Sequence, residues 1–364
     1  MGWYHPMSRV LAATTTATVL GLGGSLTASS AVSAAGGGFT TPGNVLVTDQ
    51  FNNRVVEINP ATRDIVWSFG SGNPTLCNPG PGAIIGPNDA ERLSGGLTLI
   101  AGTGVPAGAS PTAPTFSCVD NRVIVVNHEG QIVWQYGQAG VTGSGPNELN
   151  VPVFALQLPN RNILIVDQAN NRVIEVDRFS KKVVWSYGPD SGPGALDSPN
   201  AAELLPNGDL LISDQNNNRV IEITWSGQIV WQYGSGVPTV TRPLDIAAFA
   251  SRLPNGDTLI TDQGHSRIVE INSKKQVVFE FFTTRTPGSN TAPNPTNAVR
   301  LADGDTSIAD QYNHRVIMIG PEGGLLFQYG VTDMPGNAPG ELDGPYTAYV
   351  IGDYTGQTPP PATF

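Results

Sequence analysis

Apolar and polar residues alternate along residues 210–234 in a way that predicts short strands. Leu210-Leu211-Ile212 is a compact apolar run, a polar cluster follows, Arg219-Val220-Ile221-Glu222-Ile223 alternates, and Ser226-Gly227 makes a turn. Ile229-Val230-Trp231-Gln232-Tyr233-Gly234 then alternates again. A period of two over runs of five or six residues, punctuated by Gly, Asn and Pro, is the signature of antiparallel strands and not of amphipathic helices. A further strand, Ala201 to Leu205, lies upstream and closes on the turn Pro206-Asn207-Gly208-Asp209. The unit therefore has four strands.

The unit recurs. TDQFNNRVVEI (48–58), VDQANNRVIEV (166–176), SDQNNNRVIEI (213–223), TDQGHSRIVEI (261–271) and ADQYNHRVIMI (309–319) are copies, and VDNRVIVV (119–126) is a degenerate sixth. Their arginines, at 54, 122, 172, 219, 267 and 315, are spaced by 68, 50, 47, 48 and 48 residues. Four strands at a period near 48 predict propeller blades. The residues from Asn44 onward start at a second strand, and Pro345-Tyr346-Thr347-Ala348-Tyr349-Val350 supplies the first strand that this blade lacks. The expectation is an all-β, six-bladed propeller of four-stranded antiparallel blades, its ring closed by a C-terminal strand that completes the N-terminal blade. The acid of each motif should end the second strand, the amides should accept the left-handed backbone of a tight turn, and the Asp–Arg pair should brace that turn. The aromatics Trp67, Trp134, Trp185, Trp231, Phe279 and Phe327 recur on the fourth strand and should pack blade against blade.

Composition adds a compartment. Residues 1–34 carry Arg9 and an apolar, threonine-rich run ending in small residues, which reads as a secretory signal peptide whose initiator is Met1 or Met7. The expected division is signal peptide 1–34, propeller 35–354 and a loose tail 355–364, with no stable membrane insertion after cleavage. The net charge of −11 becomes −12 once Arg9 is removed, which disfavours nucleic acid as a partner. An exported chain with two cysteines should join Cys77 to Cys118.

The repeat closely resembles the NHL repeat over about residues 44–351, and RLPNGDTLI (252–260) with GQIVWQYG (227–234) is also similar to arylsulfotransferase-type and PQQ-type propeller repeats. The resemblance implies a fold more than a function, because such propellers serve as protein- and RNA-binding platforms, sensors and lyases. The histidine-dependent members hold their histidines at the channel; here His128, His265 and His314 fall in turns.

Ligands are expected where the first strands open onto the channel mouth: Asn88, Asp89, Phe154, Asn200, Asn297 and Tyr346, with Asp245 near the start of blade five. Asp89, Asn200, Asp245 and Asn297 form a candidate Ca²⁺ set of oxygen donors, resembling that of calcium-dependent lactonase and lyase propellers. The glutamines of the motifs are expected in solvent. The long blade-two loops that carry Cys77 and Cys118 should form a pinned rim beside the mouth. The leading expectation is a secreted, monomeric binding module for an extracellular protein, carbohydrate or small molecule; the competing one is a Ca²⁺-dependent hydrolase or lyase at the channel mouth.

Overall fold

The computed structural model of the protein describes residues 38–80, 82–237, 243–353 and 355. Blade one takes β1 (Val45–Asp49), β2 (Arg54–Ile58) and β3 (Ile65–Gly70) from one end of the chain, and β24 (Pro345–Val350) from the other; its order is β24-β1-β2-β3. Blade two is β4 (Pro87–Arg92), β5 (Thr98–Val105), β6 (Cys118–Val126) and β7 (Ile132–Tyr136). Blade three is β8 (Pro152–Gln157), β9 (Ile163–Asp167), β10 (Arg172–Val176) and β11 (Val183–Tyr187). Blade four is β12 (Pro199–Leu204), β13 (Leu210–Asp214), β14 (Arg219–Ile223) and β15 (Ile229–Gly234). Blade five is β16 (Ala247–Arg252), β17 (Thr258–Asp262), β18 (Arg267–Ile271) and β19 (Val277–Phe282). Blade six is β20 (Pro295–Arg300), β21 (Thr306–Asp310), β22 (Arg315–Ile319) and β23 (Leu325–Gly330). The architecture is the expected six-bladed propeller, with β24 paired antiparallel to β1.

The polar motif has a structural explanation in full. Asp214 Oδ2 accepts from Arg219 Nε at 2.7 Å and from Asn217 Nδ2 at 2.8 Å, while its Oδ1 accepts from the Asp197 N–H at 2.8 Å. One carboxylate thus ties its own turn to the loop that leads into its own blade. Asp49, Asp167 and Asp262 repeat the arrangement with Arg54, Arg172 and Arg267. The next amide clamps the following blade. Asn218 sits at φ 53° and its Oδ1 accepts from the Ile246 N–H; Asn53, Asn121 and Asn171 do the same for Gly86, Val151 and Ser198. Asparagine suits both tasks, since it tolerates the left-handed region and carries an acceptor. In blade six His314 stands in that position, φ 54°, and its Nδ1 accepts from the Gly344 N–H.

Blades meet through apolar clusters and two recurring contacts. The indole of Trp67 donates to His128 O, that of Trp134 to Arg178 O and that of Trp185 to Trp225 O, each on the neighbouring blade. The third-strand glutamates Glu57, Glu222 and Glu270 pair with Arg92, Arg252 and Arg300 of the next blade. The expected signal peptide and nearly all of the expected tail lie outside the described residues. Among the described residues no helix is long and apolar enough to cross a membrane.

Candidate functional site at the channel and its mouth

The first strands β4, β8, β12, β16, β20 and β24 neighbour one another around the axis. Each pairs with its own blade on one edge only, so backbone N–H groups on the other edge need acceptors. Side chains from the adjacent first strand supply several of them. Asp89 Oδ2 accepts from Ala155 N–H at 3.1 Å, Glu91 Oε2 from Gln157 N–H at 3.1 Å, Glu203 Oε2 from Arg252 N–H at 2.9 Å and Asn297 Oδ1 from Ala348 N–H at 3.3 Å. Acidic residues are brought to the axis as stitching between strands that cannot pair.

Asp89, Glu91, Glu203 and Tyr349 share an axial void of about 20 Å³ with Phe154, Leu156 and Phe249. That is room for about one water molecule. Burial pushes the Asp89 carboxyl up to about 7, against the hydrogen bonds from Ala155 and Tyr349 that favour its charged form. Burial also lifts Glu91 and Glu203 well above the usual carboxylate range, and the neighbouring Asp89 charge raises Glu91 further. Glu91 is partly exposed and lines this void. The phenol of Tyr349, buried beside Asp89, is held well above its ordinary value.

Above this void lies a layer of amides and phenols. Gln50 Nε2 donates to Asn88 Oδ1 at 2.6 Å, Gln311 Nε2 to Gln50 Oε1 at 2.8 Å, and Gln168 Nε2 to Asn200 Oδ1 at 3.0 Å. Tyr346 Oη donates to Asn200 Oδ1 at 2.8 Å, and burial raises its phenol to about 12. The expectation that the motif glutamines sit in solvent is thereby corrected: Gln50 and Gln311 are buried, because the turns that carry them lean over the mouth and bond to each other.

The structure places Asp89, Asn200 and Asn297 on first strands, all buried. Asp245 instead lies exposed on the loop before β16, against Gly264. Both carboxylate oxygens of Asp89 face protein donors, Ala155 N–H and Tyr349 Oη. Asn200 Oδ1 and Asn297 Oδ1 are likewise engaged. These oxygens are turned toward N–H and O–H groups. Among the described residues no group of three or more His, Cys, Asp or Glu is arranged to hold a metal.

The rim is built as expected at its base and reaches further than expected. Cys77 and Cys118 are joined, with 5.0 Å between their Cα atoms. The loop between β5 and β6 then extends to blade one, where Ser110 Oγ donates to Asp343 Oδ2 at 2.8 Å and Thr112 Oγ1 donates to the same oxygen. Its underside packs with Phe51, Ile85 and Tyr312. The flap is therefore pinned at the disulfide and clasped at its tip across the mouth.

A family model described as PQQ_2, outer membrane protein assembly factor BamB, matches residues 119–328, from the third strand of blade two to the fourth of blade six. The chain belongs to the PQQ_2 family. No curated protein matches the sequence. Among solved structures, a protein of unknown function from Bacteroides caccae is 17% identical, with 80% of this chain and 94% of that one covered at a TM-score of 0.56. Virginiamycin B lyase from Staphylococcus aureus is also 17% identical, with 83% and 84% covered at 0.52. These likenesses establish the fold.

Within this PQQ_2 propeller, sequence reasoning selected Asp89, Phe154 and Tyr346 at the channel but passed over Glu91, Glu203 and Tyr349. All three stand at the fifth position of a first strand, two residues beyond Asp89, Ala201 and Thr347. The period of two places both positions on one side of the strand. The period of two that predicts the strands is itself the signal that points to them.

Proposed function

We propose that the protein is a secreted propeller scaffold that binds an extracellular protein or carbohydrate on its surface. The observation that carries this reading is the filled axis: the void of about 20 Å³ is far smaller than the several hundred Å³ that small-molecule sites occupy. The carboxyls around it are already engaged by backbone amides. The disulfide between Cys77 and the buried Cys118 at the start of β6 suits an oxidising compartment. The assembly-factor description of the PQQ_2 family and the likeness of the turn motif to NHL platforms point the same way, as does a rigid, clasped flap offering Phe116, which is 62% exposed. Rigid loops on a stable frame are where recognition residues are commonly carried.

A photo-crosslinking residue placed at Phe116 tests the reading, with one at Phe179, on the β10–β11 turn of the other face, as the control. A discrete partner from position 116 and none from 179 is the expected result. The competing reading is a calcium-dependent hydrolase or lyase, for which the virginiamycin B lyase fold is the supporting likeness. A calcium-dependent rise in melting temperature abolished by Asp89→Ala, together with turnover of a lactone or uronic-acid glycan, would replace the scaffold with the enzyme.

A further inference from the structure

Blade five departs from the other five at the end of its fourth strand. Opposite the motif arginine, blades one, four and six place Gly70, Gly234 and Gly330, and Gly137 and Gly188 occupy the same place in blades two and three. All five have positive φ, and a Cβ on any of them would lie 2.3–2.4 Å from a carbonyl oxygen of the adjacent turn. In blade five the residue opposite Arg267 is Phe282, with φ −101°. The turn bond that Ser235 makes to Asn218 O in blade four is made here by Thr283 to Ser266 O at 3.0 Å, so the fold closes without help from the Phe282 ring. The preceding aromatic changes as well. Phe69, Tyr136, Tyr187, Tyr233 and Tyr329 are buried, whereas Phe281 is partly exposed.

Both phenylalanines line a groove of about 480 Å³ between blades five and six, walled also by Pro287, Pro321 and Leu325, with Phe281 packed in addition against the apolar cluster of blades five and six. The Arg285 guanidinium lies over the Phe282 ring at 4.0 Å from its centroid. Glu280, ion-paired to Arg267, and Glu322 stand on the same groove. We infer that this groove binds a neutral oligosaccharide, an inference that rests on the scaffold reading above and names its ligand. Phenylalanine faces suit the apolar C–H faces of pyranose rings, while a guanidinium donor and carboxylate acceptors suit hydroxyls, which are both donors and acceptors. The charge balance excludes the extremes. Glu280 is paired with Arg267 and Glu322 is offset by Arg285, so the groove is locally near neutral, while a chain of net charge −11 repels a polyanion. The volume falls within the range of ligand sites.

The test is calorimetric titration of the propeller with cellohexaose, chitohexaose and mannohexaose. At least one should bind, and Phe282→Gly or Arg285→Ala should weaken that binding by about tenfold or more. Phe282→Gly installs the residue of the other five blades, so its melting temperature reports whether the fold is kept; Arg285→Ala, at an exposed position, is the second probe if it is not. No binding of any of the three sugars overturns the inference, as does binding that neither variant alters. Binding of a proline-rich peptide at the groove in place of the sugars also overturns it. A partner crosslinked from position 116 in the same preparation keeps the scaffold reading intact when the groove fails.

Discussion

Tyr349 Oη donates to Asp89 Oδ1 at 3.0 Å, joining the strand that closes blade one to the first strand of blade two at the propeller axis. The bond places a carboxyl, raised to about 7 by burial, between the first strands of blades one and two. A group whose folded pKa lies above its unfolded value favours folding when protonated, and that contribution is lost as pH rises through the folded pKa. For Asp89 the window runs from about 4 to about 7, with Glu91 and Glu203 acting in the same direction. The melting temperature should therefore fall between pH 5 and pH 8. Asp89→Asn should flatten that slope, gaining on the order of 4 kcal/mol at pH 8 by the linkage relation, because Tyr349 can reverse its hydroxyl to accept from the new amide. Chemical unfolding at the two pH values checks this, and an unchanged slope would show that Asp89 does not titrate there.

Asn218 offers a separable test of the clamp between blades. Asn218→Gly keeps the left-handed backbone and loses the hydrogen bond to Ile246 N–H, which should cost about 1 kcal/mol. Asn218→Ala loses the bond and strains the backbone as well, for an added cost of about 1–2 kcal/mol. Equal losses in the two variants would mean that the left-handed geometry carries no part of the residue's role.

The blade count, the ring closure and the turn chemistry were legible because they repeat: six near-copies of one motif fix the strands, and Pro345 falls where a first strand is missing. The axial site was legible only in part. Asp89 follows the proline and invites attention, but Glu91 and Glu203 lie deeper on strands whose other copies carry Leu156, Ser251, Val299 and Tyr349, so no repeat marks the position. The reach of the flap was not legible at all. Ser110 and Thr112 meet Asp343 across more than 230 residues of sequence, and nothing local to either segment specifies the other. Phe282 was visible in the alignment as the residue standing where five blades carry glycine, yet its exposure depends on how β19 leaves the sheet.

The clasp yields a test of the flap. Replacing Cys77 and Cys118 by serine removes a crosslink with a sequence separation of 41 and should cost about 2–4 kcal/mol. Asp343→Ala should cost less in stability, since the disulfide still holds the base, yet should open residues 106–117 to limited proteolysis. Resistance of that loop in the Asp343→Ala protein would show that the disulfide and the contacts with Phe51 and Tyr312 suffice to hold it.

The Glu57–Arg92 pair should be the costliest of the interblade braces to break. Glu57 is fully buried, with Oε2 2.7 Å from Arg92 and Oε1 accepting from Asn44 Nδ2 and from Thr40 N–H. The Arg92 guanidinium lies over both Phe39 and Trp67, at 4.2 and 4.6 Å from their ring centroids. Glu57→Ala leaves that buried cation without its carboxylate and leaves two donors unmet, so a loss of about 3–5 kcal/mol is expected. The matching change Glu222→Ala removes the partner of Arg252, whose side chain is 21% exposed, and water can replace the lost carboxylate there. The loss at Glu222 should be nearer 1 kcal/mol. Denaturant midpoints of the two variants decide the point: similar losses would mean that burial of the pair does not set its worth, and that the aromatic stack holds Arg92 without Glu57.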